Sequence, residues 1–206
     1  VTSALIACPK DGEVVVVDDR SDTAETALAA MAQDGRLKIT TNTADKGAAG
    51  ARNTGVAAAR SDVSLFLDDD DTLVADYAAR VLAVAESESV SFGFSAKTVV
   101  TQDVSKDIIR KRLHSGVLGP DVPLEFKTAA FSAGFWIRRE VFQTVGQIET
   151  DQVNDEDTDL CCRLYGKGHR AWVDPTPGCV IYHDYETGDV TAPQLTRSTE
   201  PAEMAA

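Results

Sequence analysis

The chain has 206 residues, 43% hydrophobic and 26% charged, with a formal net charge of −13. That is a globular composition, with enough apolar side chains for one domain and a sizeable core. The acidic balance, with no Lys/Arg cluster, excludes nucleic acid as a partner; no apolar run approaches the roughly 18 residues of a transmembrane segment, and no signal-peptide pattern is read at the start.

In chain order, residues 2–7 read as the end of a helix, because only a few residues separate them from EVVVV (13–17) and a parallel strand would need a longer crossover. EVVVV is β-branched and closed by Asp18-Asp19, the pattern of a buried parallel strand. TAETALAAMAQ (23–33) predicts a helix, LKITT (37–41) a second strand, and KGAAGARNTGVAAA (46–59) a small-residue helix opened by glycine. VSLFL (63–67) predicts a third strand running into Asp68, Asp69, Asp70 and Asp71, and DYAARVLAVA (76–85) a helix with an acidic start. Three strands each followed by a helix predict an α/β fold with a mostly parallel central sheet flanked by helices.

The second half is less regular. Residues 90–100 read as extended but broken by Gly93, residues 101–128 show little periodicity, and AAFSAGFWI (129–137) leads into a short helix over 139–145. EDTDLCCRLY (156–165) predicts a helix stopped by Gly166 and Gly168, and 170–173 and 179–182 two short strands. The domain is expected to cover 1–185, with a polar tail over 186–206. Cys8, Cys161, Cys162 and Cys179 contain no CxxC pair, so free thiols in a reducing, cytoplasmic compartment are expected, with the protein free or peripheral to a membrane.

The chemistry-bearing residues gather at strand ends. In open α/β sheets, ligands bind beyond the carboxyl ends of the strands. Asp18 and Asp19 sit at one such end and either accept hydrogen bonds from a ribose or base, or cap the next helix. Four consecutive acids exceed what a cap requires; on an extended segment Asp68 and Asp70 face the same way and can share Mg²⁺ or Mn²⁺. Arg52, near a helix start, suits a phosphate, while the neighbouring glycines suit either a phosphate or close helix packing. Asp157 and Asp159 lie two apart in a predicted helix and cannot face the same way; one is a candidate general base, the other faces solvent or a structural partner. His183, after an apolar strand, is either a metal ligand or a satisfied structural residue.

The order EVVVVDDRSD, KGAAGARNTGVAAA, SLFLDDDD, FSAGFWIRREVFQTVGQIE, NDEDTDLCCRLYGKG resembles family 2 glycosyltransferases of the GT-A fold over residues 5–185. The resemblance implies an inverting transferase that moves a sugar from a nucleotide-diphosphate sugar, UDP-linked, to a glycan, lipid-linked or other hydroxyl acceptor, with a divalent cation (Mn²⁺ or Mg²⁺). It implies Asp18, Asp19, Arg52, Asp68 and Asp69 as nucleotide-sugar contacts, Asp68, Asp70 and His183 as metal contacts, and Asp157 as general base. Two departures stand out: the family's first strand, with its Pro-Thr-Tyr-Asn-like segment, has no counterpart, and Arg20 stands where the family carries glycine. LFLDDDDTLV also fits a haloacid dehalogenase-type phosphatase, with Asp68 as nucleophile, Asp70 as acid/base and Thr72 on phosphate. A non-catalytic acidic metal- or nucleotide-binding module is the third reading.

Overall fold

A computed structural model of the chain describes residues 1–87, 89–101, 104–108, 116–119, 121, 131, 134–151 and 155–182. Helix α1 (Thr2–Ala7) turns directly into strand β1 (Val14–Asp18), as the short connection requires. Arg36 closes the end of α1 by donating to the carbonyls of Leu5 and Cys8, each at 2.9 Å. The helix expected over 23–33 forms only in pieces, α2 (Ala24–Ala27) and a 3₁₀ turn over Ala29–Met31. Neither piece buries a residue, so Ala-rich propensity alone carries them, and short helices without a packed face are marginal.

Strand β2 (Leu37–Thr41) pairs in parallel with β1, from Val14 opposite Leu37 to Asp18 opposite Thr41. Helix α3 (Ala48–Ala58) packs on β1 and buries Gly50, Asn53, Thr54 and Val56. Gly50 is needed for packing: a Cβ there would lie 1.9 Å from the carbonyl oxygen of Asp45.

Strand β3 (Val63–Leu65) is followed by the aspartates, a two-residue strand β4 (Thr72–Leu73) and helix α4 (Tyr77–Ser87), which buries Tyr77, Val81 and Ala85. Strand β5 (Phe92–Thr101) runs through Gly93 without a break. Glycine is required there because a Cβ would meet the Trp172 carbonyl at 2.3 Å and the Trp136 indole at 2.6 Å. Strands β6 (Val104–Ile108), β7 (Gly116–Leu118) and β8 (Trp136–Arg138) follow, then helices α5 (Arg139–Val145) and α6 (Glu156–Gly166). The last strand, β9, is one element over Ala171–Tyr182, with a register irregularity opposite Ser95 and Ala96, where two short strands are expected.

The fold is α/β with the sheet flanked by helices, but the strand directions are mixed rather than mostly parallel. Only β1–β2 and β5–β9 are parallel; β3–β8, β4–β9, β5–β6, β5–β8 and β7–β9 are antiparallel. Alternating strands and helices dictate parallel pairing only in the first half. Beyond α4, β5 and the strand that follows it, β6, pair antiparallel, while β9, which pairs in parallel with β5, comes after helices α5 and α6. Among the described residues, the β1–β2 pair is not hydrogen-bonded to the other sheet, whose order is β3-β8-β5-β9-β4.

The main core is aromatic. Phe66 stacks on Phe135 with centroids 5.8 Å apart and meets the edge of Phe131 at 5.4 Å, while Phe92 meets Tyr165 at 5.1 Å. Phe66 is buried, and its N–H donates to the Phe135 carbonyl at 2.8 Å. The core thus fixes the chain two residues before Asp68.

Candidate functional site

The aspartates do not continue the strand. β3 ends at Leu65, and the run folds into a turn in which the Asp71 N–H reaches the Asp68 carbonyl at 3.3 Å. The expectation that Asp68 and Asp70 face one way on extended backbone is therefore corrected: turning spreads four charges that an extended segment would stack on two faces. Asp69 and Asp70 are exposed, Asp68 is half-buried, and Asp71 points inward at 7% exposure. Burial, with the charges of Asp70 and Asp68, raises the Asp71 carboxyl to about 6. Its Oδ1 accepts the N–H of Tyr182, at the end of β9, at 3.4 Å.

Arg52 joins this run to the second half of the chain. From α3, one guanidinium nitrogen donates to Asp68 Oδ1 at 2.7 Å and another to Glu156 Oε1 at 3.3 Å. The guanidinium also lies 4.7 Å over the Phe131 ring, and the side chain is 15% exposed. The next residue, Asn53, pairs with the backbone of Ile148, ahead of α6. Two consecutive residues of α3 thus fasten both the acidic turn and the approach to α6.

Helix α6 begins after Asp155, at φ 63°, and carries Glu156, Asp157 and Asp159 in its first turn, where the macrodipole favours acids. The two aspartates take different roles. Asp159 accepts from Arg163 at 2.7 Å, and Arg163 also donates to the Gly146 and Gln147 carbonyls at 2.7 and 2.9 Å, so Asp159 is the structural partner. Asp157 is half-buried, and its Oδ1 accepts the Thr158 N–H at 2.7 Å.

At the end of β1, Asp18 Oδ1 accepts the N–H and hydroxyl of Ser21 at 2.7 and 2.6 Å, which is turn-capping chemistry. These bonds lower its carboxyl below the ordinary range. Asp19 braces the entrance to α3: its oxygens accept from Asn42 Nδ2 at 2.6 Å and from the Gly47 N–H at 2.9 Å. Asn42 also accepts from Ala44 N–H and Thr54 Oγ1, each at 2.9 Å. Arg20 stands at φ 64°, a left-handed geometry that accounts for glycine at this place in the pattern. Its guanidinium donates to the carbonyls of Asn42 at 3.4 Å and Ala44 at 2.5 Å. Beside it a cleft of about 510 Å³ opens between residues 43–45 and 147–150.

The structure therefore brings Arg52, Asp68 and the start of α6 together, and places Asp18 and Asp19 in a separate network around Asn42. The sequence does not single out Glu156; its four-residue acidic stretch reads as a helix start, and nothing local marks which acid meets a cation. His183 and the tail over 186–206 lie outside the described residues. Among the described residues no three His, Cys, Asp or Glu side chains stand close enough to hold a metal ion, and no helix is long and apolar enough to cross a membrane.

Comparison with known proteins supplies the family. The model of "Glycosyl transferase family 2" matches residues 1–146. The succinoglycan biosynthesis protein ExoO of Rhizobium meliloti (strain 1021) is 37% identical over 103 residues, 50% of this chain and 30% of that protein. The pre-mycofactocin glycosyltransferase of Mycobacterium tuberculosis (strain CDC 1551 / Oshkosh) is 28% identical over 204 residues, 89% of this chain and 40% of that protein. The chain thus spans well under half the length of these relatives. The crystal structure of S. aureus TarS 1-349 in complex with UDP-GlcNAc shares the fold, with a TM-score of 0.71 at 17% identity over 93% of this chain and 56% of that one.

Proposed function

The chain belongs to glycosyl transferase family 2, and from that premise we propose that it transfers a sugar from a UDP-linked donor to an acceptor hydroxyl with inversion. The observation that carries this reading is the ion-paired junction of Arg52, Asp68 and Glu156, which ties a donor-side acidic turn to the helix that bears Asp157. The TarS complex with UDP-GlcNAc supports the choice of UDP, and the succinoglycan relative supports a glycan acceptor.

The acids at 68–71 offer carboxylate oxygens, the donor set that hard divalent ions prefer, and their crowded charge is relieved by a cation. Asp68 and Asp70, joined by His183, would hold Mn²⁺ or Mg²⁺; such an ion, once bound, stabilises the charge gathering on a departing diphosphate. Asp19 and Asp18 contact the ribose or base, and the second lone pairs of Asp19 remain for this beyond its bonds to Asn42 and Gly47. Asp69, exposed on the turn, would be open to a donor contact. Asp157 takes the proton of the attacking hydroxyl, and a single displacement from the opposite face inverts the anomeric carbon. The phosphatase alternative gives way to family membership.

The test is turnover of UDP-glucose and UDP-N-acetylglucosamine with Mn²⁺. Asp157→Asn is expected to lower kcat by about 100-fold or more while leaving UDP affinity in place, the signature of a lost general base. Equal kcat in the variant would remove Asp157 from the reaction.

A further inference from the structure

This inference rests on the reading of the chain as a transferase of UDP-linked sugars, and it names the side chain that meets the sugar. The acidic turn has two ends. At one, Arg52 donates to Asp68 at 2.7 Å; at the other, Asp71 accepts the Tyr182 N–H at 3.4 Å. The turn carries the chain from β3 to β4, which pairs with β9, so Tyr182 lies on the β4 side and Arg52 on the β3 side. Among the described residues the exposed large apolar side chains are Ile6, Leu82 and Tyr182; Tyr182, 47% exposed, is the aromatic one.

Strand alternation accounts for its exposure. Cys179 and Ile181 point into a core cluster with Val99 of β5, so Val180 and Tyr182 take the other face of β9. Pairing sets Thr98 and Val100 of β5 and Thr72 of β4 beside them, each half-buried. The result is an apolar strip of Val100, Val180 and Tyr182, edged by threonines and, through Asp71, by the acidic turn. A pyranose ring has the matching chemistry. One face presents C–H groups that pack on an aromatic ring, and its hydroxyls reach polar partners at the rim.

We propose that Tyr182 is a specificity-determining residue of the donor site, its ring the platform on which the hexose of a UDP-sugar stacks. The order of groups in the donor matches the order along the turn. Arg52 offers the positive charge that suits a diphosphate, and the hexose, joined to the terminal phosphate, extends past it towards β9. The link from Tyr182 to the turn is a main-chain N–H, so replacing the side chain leaves that bond in place.

The test is calorimetric titration of wild type, Tyr182→Ala and Tyr182→Phe with UDP, UDP-glucose and UDP-N-acetylglucosamine, all in one Mn²⁺-containing buffer. Any contribution of the cation is common to the three ligands and cancels when each sugar nucleotide is compared with UDP. Tyr182→Ala is expected to weaken the sugar nucleotide that wild type binds by about three- to ten-fold and to leave UDP unchanged. Tyr182→Phe keeps the ring and is expected to stay within about two-fold of wild type. A tyrosine that serves only as a good strand former would weaken all three ligands together or none. If Tyr182→Ala does not fold by circular dichroism, Tyr182→Leu, apolar but without a ring, replaces it with the same expected loss.

Equal losses for UDP and the sugar nucleotide overturn the proposal, as does unchanged sugar-nucleotide affinity in a folded ringless variant. Tyr182→Phe behaving like Tyr182→Ala overturns it too, as does a wild type that binds UDP and neither sugar nucleotide. In each of these cases UDP binding keeps the transferase reading. Absence of binding by all three ligands to wild type removes that reading and the proposal with it.

Discussion

Asn53 grips Ile148 by both of its backbone polar groups: Asn53 Nδ2 donates to the Ile148 carbonyl at 2.8 Å, and the Ile148 N–H donates to Asn53 Oδ1 at 3.0 Å. Asn53 is 5% exposed and Ile148 2%, so water has no access to replace these bonds. The pair binds α3 to the segment that follows α5. Asn53→Ala leaves a buried N–H and a buried carbonyl unpaired. The expected loss is about 2–4 kcal/mol, read as a lower urea midpoint with an unchanged m-value. Asn53→Asp sets a buried carboxylate oxygen against the Ile148 carbonyl and should cost at least as much as alanine.

Arg163 makes the second tie to the same segment, through the Gly146 and Gln147 carbonyls, and Asp159 orients it at 2.7 Å. Asp159→Asn is expected to cost about 0.5–1 kcal/mol of stability, as for a partly exposed i,i+4 pair, and to leave UDP affinity unchanged. A loss of UDP binding or turnover beyond the loss of stability would place Asp159, not Asp157, in the chemistry.

Arg20 tests what its left-handed backbone costs. Arg20→Gly relieves the φ of 64° while losing the bonds to Asn42 and Ala44; Arg20→Ala loses the same bonds and keeps the strain. Alanine is therefore expected to be less stable than glycine by about 1 kcal/mol in thermal or urea unfolding. Equal stability of the two would show that this backbone geometry carries no penalty.

Acid stability should respond to Asp34. Hydrogen bonds from the Arg36 side chain and backbone N–H hold its carboxyl down, from 3.8 to about 2. The folded value lies below the unfolded one, so the contribution is complete above 3.8 and is lost as pH falls through about 2. The difference in melting temperature between wild type and Asp34→Asn should shrink across that window. A difference that stays constant with pH would show that the carboxylate charge is not what holds Arg36 against the end of α1.

The elements read most directly from the sequence are those whose signals are local. β1 and β2 follow from β-branched runs, and α3, α4, α5 and α6 from apolar spacing with glycine or acid punctuation. TAETALAAMAQ misleads because its propensity is helical while neither helical piece fully buries a residue. Gly93 misleads because a strand interior disfavours glycine unless a backbone presses close, and the Trp172 backbone is invisible from residues 90–100. The site divides in the same way. Asp68, Asp70 and Asp157 are marked by motif order, but the arginine that joins Asp68 to α6 meets a glutamate 104 residues away, a distance no local rule bridges. The turn that replaces an extended acidic strand end is likewise set by where β3 stops against β8.

In the proposed reaction the acidic turn after β3 serves a nucleotide-sugar donor through a divalent cation. The most direct test is calorimetric titration with UDP, with and without Mn²⁺, on the wild type and on Asp70→Ala. The account predicts UDP binding that needs Mn²⁺ and is lost in Asp70→Ala, while the variant keeps its melting temperature. UDP binding of equal strength without Mn²⁺ and in Asp70→Ala, or no UDP binding at all, would contradict it.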